Sequence, residues 1–314
     1  MTVRGDQYDE PRVFVSSFSF NVGERTAIGD LADPAVSANI DELHREGIRF
    51  CRVSDQPAYE LAASAARGSL AAAGVDPTSA IYCAESPGAE SFCDDVWSFL
   101  LMAGLPSIPS VVISGNACAN VVPALTVARN TVLSDPEARV LVVSTNRREY
   151  ATRFLANGTS VLSDGAAACL VSGRPYGDGF RLLGVGDAMT ADFPGAGTVS
   201  AGIRAVMRGV KRAALGLPQV DHRGYDVMVT GNYAASVRRL FATAAGVDAH
   251  VLHDRLAEDI GHCSSADLLI GLADAKEDGH MQPGDRVLVL GASPRSWSCA
   301  ELEYVNEGLE GKIS

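Results

Sequence analysis

The chain has 314 residues, 47% of them apolar and 20% charged, which excludes a disordered polypeptide and supports a sizeable buried interior. Its 26 Lys and Arg stand against 38 Asp and Glu, a net charge of −12 that argues against nucleic acid or an anionic membrane as the main partner. No run reaches the roughly 18 apolar residues of a membrane helix. Residues 1–12 are polar and carry no signal-peptide core, so a cytoplasmic location is the expectation.

At roughly 100–200 residues per domain, this length allows two units or one large α/β body. In chain order, "RVFVSSFSF" (12–20) reads as a strand, and "SDQPAYELAASAARGSLAAAG" as an Ala-rich helix with Ser54 as N-cap. "AIYCAE" (80–85) is a strand, 90–104 a helix, "SVVISG" a short buried strand and 118–134 a helix carrying Cys118. "ARVLVVST" (138–145) and "AAACLVS" (166–172) are strands, which completes a β-α-β-α-β-α-β-β series. The second half repeats it. "FRLLGVG", "YDVMVTG", "AHVLH", "DRVLVLG" and "WSCAELEY" read as strands. The helices between them are "GTVSAGIRAVMRGVKRAALG", "AASVRRLFATAAG" and "SSADLLIGLADAKEDG". Gly and Pro in "SGRPYGDG" (172–179) interrupt the pattern, which divides the chain into units 1–173 and 174–314. Strands separated by helices favour largely parallel sheets covered by helices.

Seven cysteines, at 51, 83, 93, 118, 169, 263 and 299, form no CxxC pair, so a zinc ribbon or disulfide framework is not expected. Most sit in apolar runs as small core residues. Cys118 differs. In "SGNACAN" (114–120) it stands where a β-branched strand gives way to a helix with apolar Val121, Leu125, Ala128 and Val132 on one face. Unpaired N–H groups and the helix dipole favour a sulfur anion at such a corner, and they suit a developing oxyanion. From position alone, a packed core thiol and a nucleophile are both open.

"SGNACAN" resembles the nucleophile loop of the β-ketoacyl-acyl-carrier-protein synthase III family, and "LSDGAAACLVSG" (162–173) resembles its strand entry after the nucleophile helix. "DGHMQPGDRVLVLGASPRSWSCAEL" resembles its C-terminal strand pair. The resemblance implies the α/β thiolase-like fold, with two duplicated halves and buried helices between sheets, and a homodimer. It makes Cys118 the nucleophile. The family's condensing members pair that Cys with a His and an Asn from the second half. Here "VMVTGNYAAS" (227–236) places Gly231 at the His position, and "IGHCSSADLL" (260–269) places His262 at the Asn position.

Decarboxylative condensation makes an enolate whose oxygen two side-chain donors normally hold, and Gly231 supplies none. One His beside a Cys suffices for acyl transfer, first aiding the thiolate and then acting as base to a hydroxyl or amine. Asp267, five residues on in "HCSSAD", can orient the imidazole as the third member of a triad. This Cys/His/Asp set resembles the acyltransferase offshoot of the family, which works in polyketide and other natural-product pathways. The expected activity is therefore transfer of an acyl group from an acyl carrier protein or CoA thioester to a small-molecule acceptor, with no metal or redox cofactor. The competing readings are a carbon–carbon condensing synthase with a rebuilt site and a non-catalytic partner subunit that binds a carrier.

The resemblance also assigns Ser293, in "GASPRSW" (291–297), as an oxyanion donor, and Phe92 as an acyl-pocket residue shared across the dimer. "VLVLGAS" imitates a dinucleotide-binding turn, but G-x-G-x-x-G is absent and too little chain follows. Arg204, Arg208, Lys211 and Arg212 share one helix face in an acidic protein and suit docking of an acidic carrier or its phosphopantetheine; a solvated face is the alternative. Cys263 and the His residues at 44, 222, 250, 253 and 280 carry no such placement.

Overall fold

A computed structural model of the protein describes residues 12–306 apart from 89, 149–151, 156–157, 192–198 and 219–223. His222 lies outside the described residues. The first half runs β1 (Phe14–Val22), β2 (Glu24–Ala27), α1 (Pro34–Ser37), α2 (Ile40–Arg45), β3 (Phe50–Val53), α3 (Ala58–Ala73), β4 (Ser79–Cys83) and α4 (Phe92–Ala103). It continues with β5 (Ser110–Ile113), α5 (Val121–Ser134), β6 (Arg139–Asn146), β7 (Phe154–Leu155), β8 (Ser160–Val161) and β9 (Gly165–Ser172). The second half has β10 (Gly179–Met189), α6 (Val199–Leu215), β11 (Val227–Thr230), α7 (Ala235–Ala245), α8 (Ala257–Ile260), α9 (Ala266–Glu277), β12 (Arg286–Ala292) and β13 (Ser296–Val305).

Nine strands hydrogen-bond in the order β11-β12-β13-β10-β1-β9-β6-β4-β5. Read outward from the centre, each half repeats one plan. A first strand (β1 or β10) pairs antiparallel with the last (β9 or β13), which pairs antiparallel with the next-to-last (β6 or β12), which in turn takes a parallel neighbour (β4 or β11). The halves join where β1 and β10 pair over Phe14↔Arg181, Val15↔Phe180 and Ser16↔Gly179.

Two helices occupy the middle. α5 touches β4, β6 and β9 of the first half and β10 and β13 of the second, while α9 touches β1, β6 and β9 as well as β11 and β12. Helices enclosed in this way must be apolar all round. In α9, "ADLLIGLADAKE", nine of twelve residues are buried, and Gly271 is needed because a Cβ there would stand 2.6 Å from Val229 Cγ1. Leu125, Val121, Leu268, Ile270 and Leu272 are at most 1% exposed in this shared core, each burial stabilising by roughly 1.5–3 kcal/mol.

Four expectations are corrected. Ser54 does not cap α3; its Oγ accepts from Gln56 N–H (3.1 Å), and Pro57, with φ −58°, leads in a helix that begins at Ala58. "AHVLH" forms a 3₁₀ turn (Ala249–Val251) and one parallel bridge, Leu252 to Met228, at the site where β5 lies in the first half. Cys118 stands ahead of α5, in a 3₁₀ turn over Ala117–Ala119. Residues 24–53, where no element is expected, pair β2 with β3 around α1 and α2 and close a small core of Ile28, Val36, Leu43, Ile48 and Cys51.

Candidate active site

Each central helix is preceded by a tight turn, and the two turns meet. Ahead of α5, the non-glycine Ala117 takes φ +48° and Gly115 φ +92°. The side chain of Asn120 holds this turn, accepting from Asn116 N–H (3.0 Å) and donating to Ala84 O (3.3 Å). The second half braces it as well. Ser296 Oγ lies 3.0 Å from Asn116 Oδ1, and Ser298 Oγ donates to Ala119 O (3.1 Å). Cys118 is left partly exposed in this turn.

Ahead of α9, Gly261 takes φ +68°, and an added Cβ would lie 2.6 Å from Ser163 Oγ, so glycine is required for both conformation and space. His262 is then pinned by its backbone to the first half. Its N–H donates to Val161 O (2.9 Å), and its C=O accepts from Ser163 N–H (2.9 Å).

The side chains of Cys118, His262 and Asp267 line up. His262 Nε2 lies 3.0 Å from Cys118 Sγ, and Nδ1 donates to Asp267 Oδ2 at 2.6 Å. Asp267, 1% exposed in the first turn of α9, has no idle lone pair nearby. Its Oδ2 also accepts from Asn232 N–H (2.7 Å), and Oδ1 accepts from Cys263 N–H (2.9 Å) and Asn232 Nδ2 (3.2 Å). A carboxylate held by four donors is a fixed post, and it sets the imidazole tautomer and plane.

Burial by itself would depress the pKa of His262, but the negative charges of Cys118 and Asp267 outweigh it and hold the pKa well above the ordinary 6.5. The cluster therefore favours imidazolium at His262. Five other thiols sit in the interior. Burial pushes Cys51 up to about 11 and Cys299 up to about 12, and it raises Cys83, Cys169 and Cys263 as well.

Asn232, Tyr233 and Glu85 belong to this cluster and escape the sequence reading. Tyr233 packs its ring on His262, centroids 4.5 Å apart, and donates its hydroxyl to Ala292 O at 2.7 Å. Burial, then the charge of Cys118, pushes its phenol far up, so it stays a neutral donor. A Cβ on Gly231 would meet Tyr233 Cε2 at 2.5 Å. The space beside position 231 is thus already filled by an aromatic ring, with no room for a second imidazole. Glu85 follows β4, and its Oε1 lies 3.5 Å from Cys118 Sγ. "GNY" and "AESPG" have the turn composition that marks functional loops, which is the one local signal pointing to these residues.

Ser293 closes the turn between β12 and β13, its backbone N–H donating to Ser296 O (2.8 Å). Phe92 opens α4 and packs, partly buried, on the core shared with α3. Arg204, Arg208, Lys211 and Arg212 are all exposed along α6. Among the described residues, no group of three or more His, Cys, Asp and Glu is arranged to hold a metal, and no helix is long and apolar enough to cross a membrane.

Residues 218–303 match the family described as 3-oxoacyl-[acyl-carrier-protein (ACP)] synthase III C terminal. The β-ketoacyl-[acyl-carrier-protein] synthase III of Nitratidesulfovibrio vulgaris is 27% identical over 263 residues, which is 74% of this chain and 79% of that protein. Among solved structures, the acyltransferase ChlB3 superposes with a TM-score of 0.79 at 18% identity, covering 94% of this chain and 98% of its own. A variant of OleA from Xanthomonas campestris gives 0.74 at 17%, covering 96% and 100%. The 3-oxoacyl-[acyl-carrier-protein] synthase III of Aquifex aeolicus gives 0.72 at 16%, covering 93% and 100%. Two repeated halves and two enclosed helices give this chain the thiolase-like fold of these structures, with a thiol where the turns ahead of those helices meet.

Proposed function

We propose that the protein is an acyltransferase. Cys118 accepts an acyl group from an acyl carrier protein or CoA thioester and passes it to a hydroxyl or amine acceptor in natural-product biosynthesis of the polyketide type. The observation that carries this reading is the contact chain Cys118–His262–Asp267, at 3.0 and 2.6 Å, beside a position 231 that has no side chain. In the first half-reaction the sulfur anion attacks the donor carbonyl. The C–S bond to Cys118 forms, the donor C–S bond breaks, and the proton on His262 goes to the leaving thiol. Acylation neutralises the charge on Cys118, one of the two that hold that proton, so the step itself turns the imidazole from acid to base.

Condensation is disfavoured because it needs a second enolate donor where Tyr233 now packs. A non-catalytic scaffold has no use for a buried His–Asp pair, every oxygen and nitrogen matched, aligned on a partly exposed thiol. Both donor types present a phosphopantetheine arm, and the cationic stripe of α6 is the proposed docking face for it or for an acidic carrier. The catalytic steps above draw only on side chains of this chain.

A second copy of the chain is proposed as partner. β5 is the outer strand of the sheet, its Val111 is 50% exposed, and α4 beside it leaves Trp97 66% and Leu101 70% exposed. An unpaired edge flanked by large apolar side chains is a surface that invites pairing. Phe92, on the same helix, would then line a pocket shared between the copies. Light scattering decides the point: a dimer is expected, and Leu101→Lys with Trp97→Glu should yield monomer.

Intact-mass spectrometry after incubation with a panel of acyl thioesters tests the activity. An acyl adduct that disappears in Cys118→Ala is the expected result, and no adduct with any donor would leave the scaffold reading. Carbon dioxide released from malonyl thioester would instead mark condensation.

A further inference from the structure

Cys118 has a second titratable neighbour. Glu85 Oε1 lies 3.5 Å from Sγ, and the same oxygen accepts from Ser264 Oγ, two residues beyond His262. Ser114 Oγ donates to the backbone carbonyl of Glu85 (3.3 Å). The carboxyl group is therefore tied to both turns of the site, and Ser264 adopts the left-handed conformation, φ +55°, at its end of that tie. Two differences separate Glu85 from His262. The imidazole is 0% exposed, with Nδ1 committed to Asp267 and Nε2 to the sulfur, whereas Glu85 is partly exposed. An acceptor arriving from solvent can reach the carboxylate without displacing the buried ring.

We propose that Glu85 is a second catalytic base, which takes the proton of the acceptor hydroxyl or amine while His262 serves the sulfur. This rests on the acyl-enzyme reading above. In the second half-reaction the acceptor oxygen or nitrogen bonds to the acyl carbon, its proton passes to Glu85, and the C–S bond to Cys118 breaks. The departing sulfur then takes that proton from Glu85 and yields it to His262, 3.0 Å away, which restores the starting pair. No group outside the site is consumed.

The test separates the two half-reactions. The octanoyl thioester of N-acetylcysteamine is given to wild type, Glu85→Gln and Glu85→Asp, and intact mass follows loading. The acyl-enzyme is then discharged with water, ethanolamine or methoxyamine. Glu85→Gln keeps an oxygen to accept from Ser264 but no base. It is expected to load at a rate within about threefold of wild type and to discharge to water and ethanolamine roughly 10²-fold or more slowly. Methoxyamine, already deprotonated at neutral pH, should discharge it at near the wild-type rate. Glu85→Asp should fall between the two and, if the Gln variant does not fold, carries the same comparison of nucleophiles. Wild-type discharge rates in the variants overturn the proposal, as does an equal loss in loading and in all three discharges, which marks a merely structural role. No adduct in the wild type overturns the acyl-enzyme reading and Glu85 with it. An adduct with unaltered discharge overturns Glu85 alone.

Discussion

The turn before α5 and the turn before α9 occupy equivalent places in the two halves, yet one offers its side chain to solvent and the other hides it. Cys118 is partly exposed, while His262 is 0% and Asp267 1% exposed. Cys263, next to His262, shows that proximity is not what makes a thiol reactive. It is fully buried, its pKa is raised by burial, and its backbone N–H rather than its sulfur serves Asp267. Duplication supplied two similar turns. Burial left one side chain open to solvent and enclosed the other.

This contrast can be broken or sharpened by measurement. The largest effect belongs to Cys118→Ala, which should abolish the acyl adduct in intact-mass spectra, while Cys263→Ala retains it. Adduct formation in the first, or its loss in a well-folded second, would reverse the assignment. Next, Asp267→Asn should slow loading by about 10²–10⁴-fold in single-turnover kinetics, because the imidazole loses its fixed tautomer. Gly261→Ala forces a Cβ into Ser163 at φ +68° and should cost on the order of 1–3 kcal/mol in chemical denaturation. The smallest change is Tyr233→Phe, which strips the donor from Ala292 O and should cost about 1 kcal/mol with loading largely kept.

The pH dependence follows from His262. Its folded pKa lies well above 6.5, so between those two values the folded chain binds a proton that the unfolded chain releases. That contribution to stability is fully present below the unfolded value and is lost as pH rises through the folded one. Melting temperatures measured across that window should decline in the wild type. The decline should be shallower in Cys118→Ala, which removes one of the two charges behind the shift.

The alternation of strands and helices was legible because buried strands and enclosed helices leave long apolar runs. Cys118 stood out for its position at a helix start, His262 for its match to the resembled family's Asn position, and Asp267 for its spacing from His262. What remained hidden is short or non-local. The segment 24–53 consists of pieces three to six residues long, below the length at which periodicity speaks. "AHVLH" alternates like a strand, but only Leu252 finds a strand partner. Glu85 and Asn232 join the site from loops 33 residues before Cys118 and 35 before Asp267, a placement that only the tertiary fold creates.

The pairing of His262 backbone with Val161 and Ser163, and of its ring with a sulfur 144 residues earlier, has a consequence during synthesis. While the ribosome is still making the residues up to His262, the sulfur has no imidazole beside it. On the proposed acyl-enzyme reading, cellular thioesters cannot load an unfinished product, because the pair is completed only when the segment carrying His262 docks.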